Sequence, residues 1–362
     1  MKAATKRQRE QQLIALDSAS QIPVANAASE LAHYLCSGDL VIVNDAATLP
    51  ASLEATTETG NAVELRLVQR RGVSEWLCLA LGAGSWRDDT DGRGPPPHLA
   101  LGTSLRIGSF LTASVINTSS LSNRLITIRF DTSEADLLAS LYRQGQPIQY
   151  SYHHQRLPLS WLQSPYAGRP WAIEMPSAGR AMTWQTIAKL RQRGVNIARL
   201  THSAGLSATG LPGLDAQLPF QEHYDIPLET IRAIEACRAT GGRVIAVGTT
   251  VVRALEGCVQ ERGRLLPGEG DTRLVIHEGF KPAVVDGVLA GLHAPGESHF
   301  RLLSAFAPPF ALEAAWKHAV ALGYQNHELG DAMLVAPNRG CAECWPDTME
   351  SSYRQSLRHS QQ

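Results

Sequence analysis

Four short stretches hold side chains able to move protons or grip charged groups. "VNIARLTH" ends on His202, and a loop of small residues, "SAGLSATGLPGL", follows it. "FQEHYDIP" sets Glu222, His223 and Tyr224 side by side, and since chain neighbours point different ways, at most two of them share a site. A carboxylate there can neutralise a cationic ligand or take a proton, and an imidazole can take a proton. "GLHAPGESHF" offers His293, Glu297, Ser298 and His299 ahead of a helical run. The fourth stretch, "GGRVIAVGTTVVRALEGCVQER", joins Gly248, Thr249 and Thr250 to Arg253. A glycine turn at a helix start suits an anion, and an arginine one turn further on can fork onto a carboxylate.

These residues need elements to aim them. Arg243–Val247 is a short, β-branched apolar run between glycines and reads as a buried strand. Val251, Val252, Leu255 and Val259 recur at helical spacing after it, with Thr249 or Thr250 as the expected N-cap. Leu40–Val43 reads as another buried strand, with Asn44 and Asp45 at its carboxyl end. "SEADLLASLYRQG", "TWQTIAKLRQRG" (N-cap Thr183, closed by Gly194) and "LETIRAIEACRATGG" read as helices, and the last two feed strands. Such alternation predicts βαβ units and a largely parallel sheet, in which ligands bind beyond the carboxyl ends of the strands.

Between about Asn61 and Asp131 the texture changes to "AVELRLVQ", "EWLCLAL", "TSLRIG", "LTASVINT" and "NRLITIRF", broken by turns and a polar Gly/Pro loop. That is the pattern of a small antiparallel barrel. The expected fold is therefore α/β: a largely parallel sheet domain over residues 1–58 and 133–340, an inserted barrel-like domain over 59–132, and a tail over 341–362.

The chain has 362 residues, 33 Lys+Arg against 34 Asp+Glu, which disfavours a strongly electrostatic nucleic-acid binder. No apolar run is long enough for a bilayer, and "MKAATKRQREQQ" lacks a signal-peptide core, so a cytoplasmic protein without membrane contact is expected. The oligomeric state stays open. Cys36, Cys78, Cys237 and Cys258 read as buried thiols; Cys341 and Cys344 form a lone C-x-x-C without further ligands nearby, so no metal is expected. Neither a Walker loop nor a G-x-G-x-x-G after a strand is present.

Taken together, the motifs resemble those of the S-adenosylmethionine:tRNA ribosyltransferase-isomerase family. "GRVIAVGTTVVRALE" (242–256) and "FKPAVVDGVLAGLHAPGESHFRLLSAF" (280–306) carry most of the likeness; "SGDLVIVNDAATLPASL", "MPSAG", "LTH", "EHYDIP" and "LGDAMLV" follow in the family's order. The resemblance implies an α/β domain with a barrel insertion. It also implies S-adenosylmethionine as a ribosyl donor and, as acceptor, the aminomethyl group of a deazaguanine in tRNA. The products would be epoxyqueuosine-tRNA, adenine and methionine. Donor-side residues would be Gly248, Thr249, Thr250, Arg253, His293 and Ser298, with Arg253 and the helix start on the donor's carboxylate. The base would be His202 or the Glu222/His223 pair.

The chain departs from the family pattern where the acceptor should lie. Ala46 and Ala47 replace a Thr-Arg, Arg180-Ala181-Met182 replaces Leu-His-Phe, and "IQYSYHHQ" replaces a Pro-Pro-Tyr-Ile segment. A second reading keeps donor and fold but gives the enzyme a different, small-molecule acceptor. A third, a non-catalytic relative, fits poorly with the intact Gly-Thr-Thr…Arg.

Overall fold

The structure is a computed structural model that describes residues 9–153, 155–326, 329–339 and 345. Cys341 and Cys344, with the rest of the expected tail except Trp345, lie outside the described residues. In chain order the elements begin with β1 (Gln12–Asp17), β2 (Pro23–Ala27), β3 (Leu40–Asn44) and β4 (Ala46–Thr48). Six strands follow: β5 (Ser52–Thr57), β6 (Ala62–Arg70), β7 (Glu75–Leu81), β8 (Ser104–Ile107), β9 (Leu111–Thr118) and β10 (Leu125–Phe130). Then come α1 (Glu134–Gln144), β11 (Arg169–Ala172), α2 (Trp184–Gln192), β12 (Asn196–His202), α3 (Pro212–Asp215), β13 (Glu222–Ile226) and α4 (Leu228–Ala239). The chain continues with β14 (Val244–Val247), α5 (Thr249–Arg262), β15 (Gly268–Thr272), β16 (Gly287–Gly291), α6 (Ser298–Leu303), α7 (Pro309–Ala321) and β17 (Ala332–Ala336).

Nine strands form one mixed sheet in the order β15-β13-β12-β3-β14-β16-β17-β1-β2. Its centre, β12-β3-β14-β16, is parallel throughout. Antiparallel ladders attach β13 and β15 on one side and β17 on the other. Of the central strands, β3, β14 and β16 are apolar along almost their whole length because both faces are covered, whereas β12 carries the exposed Asn196 and Arg199 in its first half. Alternate residues go to opposite sides: Leu40, Ile42, Val244 and Ala246 pack with α4, α5, α6 and α7. Val41, Val43, Ile245 and Val247 pack with α2 and the turn around Leu31 and Tyr34.

The inserted region is a closed six-stranded antiparallel barrel, β10-β7-β6-β5-β8-β9. Its first strand, Ser52–Thr57, lies ahead of residue 59. Charge is built into it: Glu64 accepts from Arg66 Nε at 2.8 Å and Arg93 Nη1 at 2.6 Å. Burial alone would raise the Glu64 carboxyl; the two arginines outweigh it and hold the group at about 2. The apolar core of the barrel runs on into Ile173 and Leu206, so barrel and sheet share a seam rather than a hinge.

Among the described residues two side-chain N-caps are present, the expected Thr183 among them. The Ser133 hydroxyl accepts from Asp136 N at 3.2 Å, and that of Thr183 from Thr186 N at 3.1 Å. The expected threonine cap of α5 is absent. Gly248 itself is the N-cap, at φ 94° and ψ 152°, and no side chain caps the helix. The glycine bends the chain so tightly that both threonines already lie inside the first turn, and Thr250 Oγ1 instead accepts from Asn44 Nδ2 at 3.3 Å.

Candidate active site

A cleft of about 490 Å3 opens where the central parallel strands end. Gly248, Thr249, Thr250 and Arg253 form its floor, His293, Ser298 and His299 one wall, and Glu174 to Ala178 with Gly205 to Ala208 the other. Asn44, at the end of β3, pins the floor in place. It donates to the His202 carbonyl at 2.9 Å and accepts from the His202 N–H at 2.9 Å and the Ala46 N–H at 3.1 Å.

Arg253 forks onto Glu222, Nε to Oε2 at 2.7 Å and Nη2 to Oε1 at 2.8 Å. The sequence reading gave this fork to a ligand carboxylate; here the acceptor is internal. Glu222 is buried, and burial would raise its carboxyl, but Arg253 and His202 bring it down to about 2. It is therefore a fixed negative charge at neutral pH and a weak base. His202 is fully buried behind it, Nε2 lying 3.3 Å from Glu222 Oε2 without the alignment of a hydrogen bond. His202 is not part of the cleft lining. His223 points the other way, to a neighbouring groove, where it sits 3.0 Å from Asp271 and 3.6 Å from Glu269. The candidates for the base, His202 or the Glu222/His223 pair, thus occupy three environments: interior, cleft wall and groove.

His293 and Ser298 do reach the cleft. His293 Nδ1 is 3.2 Å from Glu297 Oε2, and its ring stacks on that of His299 at 4.5 Å with planes 17° apart. Enclosure by the walls, then the neighbouring His293 and Arg253, push the His299 imidazole well below its ordinary 6.5, against the opposing pull of Glu222. His299 is a neutral imidazole facing the cleft, a proton acceptor in waiting.

Sequence reasoning did not single out Glu174, Tyr150 or Tyr152, all of which line the cleft. Glu174 accepts from the Tyr150 hydroxyl and from Ser207 N at 3.1 Å. Tyr150 also lies under the Arg66 guanidinium of the barrel, 5.5 Å from ring centroid to Cζ. The available signals were the acidic residue just before "MPSAG" and the two tyrosines in "IQYSYHHQ". Among the described residues no group of three or more His, Cys, Asp or Glu is arranged to hold a metal ion, and no helix is long and apolar enough to cross a membrane.

Comparison with known proteins places these features in context. A family model described as "Queuosine biosynthesis protein" matches residues 1–335. The chain is 33% identical to the S-adenosylmethionine:tRNA ribosyltransferase-isomerase of Gloeobacter violaceus, over 86% of this chain and 85% of that one. It is 31% identical to the protein of the same name from Trichlorobacter lovleyi (89% and 92% covered) and 34% to that from Thermus thermophilus (84% and 86%). A crystal structure of an S-adenosylmethionine tRNA ribosyltransferase from Thermotoga maritima superposes with TM-score 0.49 at 24% identity, covering 92% of this chain and 95% of that one.

Proposed function

The chain belongs to the queuosine biosynthesis protein family, and on that premise we propose that it is an S-adenosylmethionine:tRNA ribosyltransferase-isomerase. Its donor would be S-adenosylmethionine, used as a co-substrate, and its acceptor the aminomethyl-deazaguanine base of a tRNA. The products would be epoxyqueuosine-tRNA, adenine and methionine. The observation that carries the reading is the cleft itself: the turn 248–253 and the wall 293–299 face one another at the mouth of the parallel strands.

The donor's sulfonium withdraws electrons from the adjoining ribose carbon and acidifies its C–H. His299 takes that proton, being an imidazole that faces the cleft and is held in its neutral form by its enclosure, while Glu222 is engaged by Arg253 and His202 is sealed in the interior. Adenine leaves with the electrons of its glycosidic bond and takes up a proton. The bond between the ring oxygen and C1′ breaks, leaving that oxygen on C4′; the acceptor nitrogen bonds C1′ and loses a proton, and the electron pair left on C5′ forms the new C5′–C1′ carbon–carbon bond. Methionine departs with the electrons of its carbon–sulfur bond as the freed oxygen closes the epoxide onto C5′. Glu222 supplies negative charge toward the cationic donor. Because Arg253 is already forked by Glu222, the donor's carboxylate falls to the first-turn N–H groups of α5, which a helix leaves without intrahelical acceptors.

Incubation of the protein with S-adenosylmethionine and tRNA carrying the aminomethyl base, followed by digestion to nucleosides and mass spectrometry, tests the proposal. Epoxyqueuosine should appear with equimolar adenine and methionine. Donor binding without that product would move the weight to a different, small-molecule acceptor.

A further inference from the structure

A second hollow, about 540 Å3, runs between the barrel and the sheet. It shares Gly205, Leu206, Pro219 and Glu222 with the cleft, so its inner end meets the cleft at the Glu222 carboxylate. Trp171 lies in its wall, half-buried, with the Arg169 guanidinium 5.2 Å from one ring centroid and His223 5.1 Å away. Two polar groups lining it lack partners. The Trp76 indole N–H and the Gln69 amide oxygen are buried without a hydrogen bond, although Trp76 is only 8% exposed. The rim carries the exposed Arg71.

We propose that this groove receives the acceptor nucleotide, its base stacked on Trp171 and its amine directed past Glu222 into the cleft. This rests on the activity proposed above. An indole face backed by a guanidinium is a stacking platform for a base, whatever its sequence context. The Trp76 donor and the Gln69 acceptor, closed to solvent and unpartnered in the groove wall, are hydrogen-bonding groups that a base edge would satisfy once the side chains around them shift. Glu222 sets a buried negative charge at the inner end, which fits a protonated primary amine and not a phosphate, while the exposed Glu269 and Asp271 stand beside His223 nearer the solvent. Arg71 at the outer rim fits the backbone phosphate. The order is then backbone phosphate at the exposed Arg71, base on Trp171 and amine at the Glu222 end.

The test compares wild type, Trp171→Ala and Trp171→Phe, with donor affinity followed by calorimetry and the KM for modified tRNA followed by adenine release. Trp171→Ala should raise that KM by roughly 5- to 150-fold, the span of one base–aromatic stack. Trp171→Phe should recover most of it, and donor affinity should stay within about two-fold for both. Arg71→Ala, on the exposed rim, should reduce the slope of log affinity against log salt by about 0.7–0.9. An unchanged KM in Trp171→Ala overturns the groove while leaving the activity standing. Should the wild type turn over no tRNA, the activity fails separately, and tRNA binding by fluorescence anisotropy decides the groove: weakening in Trp171→Ala supports it, equal binding overturns it.

Discussion

At the scale of single residues, protonation sets what each group can do. His299 is pushed well below 6.5, so its basic form is already complete at neutral pH and is lost only when the pH falls through its lowered value. The pH profile of adenine release under single-turnover conditions should accordingly be flat around neutrality, with an acid limb below 6.5. A limb at or above 6.5 assigns the base to another group. His299→Gln should slow adenine release by about 10²- to 10⁴-fold, the usual contribution of a positioned base, with donor affinity retained. Glu222 has the opposite linkage. Its carboxyl is held at about 2 against an ordinary 4.5, so the folded state binds fewer protons than the unfolded chain between those values. The stabilisation, roughly 3 kcal/mol, is fully present above pH 4.5 and drains away as the pH falls toward 2. Glu64 in the barrel behaves in the same way, so the informative quantity is a difference. Urea unfolding of Glu222→Gln should show a loss of about 3–5 kcal/mol at pH 7, because Arg253 is left without its partner, and that gap should narrow at pH 3. A gap independent of pH would mean that the carboxylate is not held down by the arginine.

At the scale of elements, the turn into α5 shows both what the sequence tells and what it withholds. The strand and the helix are legible, since a β-branched run between glycines is followed by apolar residues at helical spacing. The cap is not, because Gly248 at φ 94° moves the helix start by one residue, a backbone choice that side-chain type does not announce. Gly248→Ala should therefore cost about 1–3 kcal/mol of strain, its new Cβ meeting Thr250 Oγ1 at 3.2 Å. That strain sits in the floor of the cleft proposed for the donor, so calorimetry should show weakened donor binding. Thr183→Ala, which removes the cap of α2, should cost about 1 kcal/mol with unchanged donor affinity. Equal donor affinity in both variants would remove the turn from the site. The barrel strands from β6 to β10 are plain as short strand-like runs between turn residues, whereas β5 is not. "SLEATT" has a single large apolar residue, and its strand state comes from pairing with β6 and β8. The site was legible wherever one local motif holds the residues, as in 248–253 and 293–298. It was not legible where distant segments meet: nothing in "FQEHYDIP" says that Glu222 will find Arg253, 31 positions away. Nor does "SYHHQ" say that Tyr150 will find Glu174.

At the scale of the whole molecule, the cleft belongs to neither layer alone. Its floor grows from the sheet, but the wall segment at Leu206 is buried in the core of the barrel, together with Ile173 and Leu214. The Arg66–Tyr150–Glu174 chain carries polar contact across the same seam, from the barrel interior to the cleft lining. A body joined by an apolar core and a polar relay should not come apart in pieces. Scanning calorimetry should show a single unfolding transition for barrel and sheet together. A ligand that binds only the native fold stabilises by about 2.7 kcal/mol when present at 100 times its Kd. S-adenosylmethionine at that ratio should therefore move the entire transition upward. Leu206→Ala, a truncation in the shared core costing about 2–5 kcal/mol, should lower the same single transition. Two resolved transitions, with only the sheet's responding to the donor, would mean that the seam does not couple the layers and that the wall at residues 204–208 is set by the sheet alone.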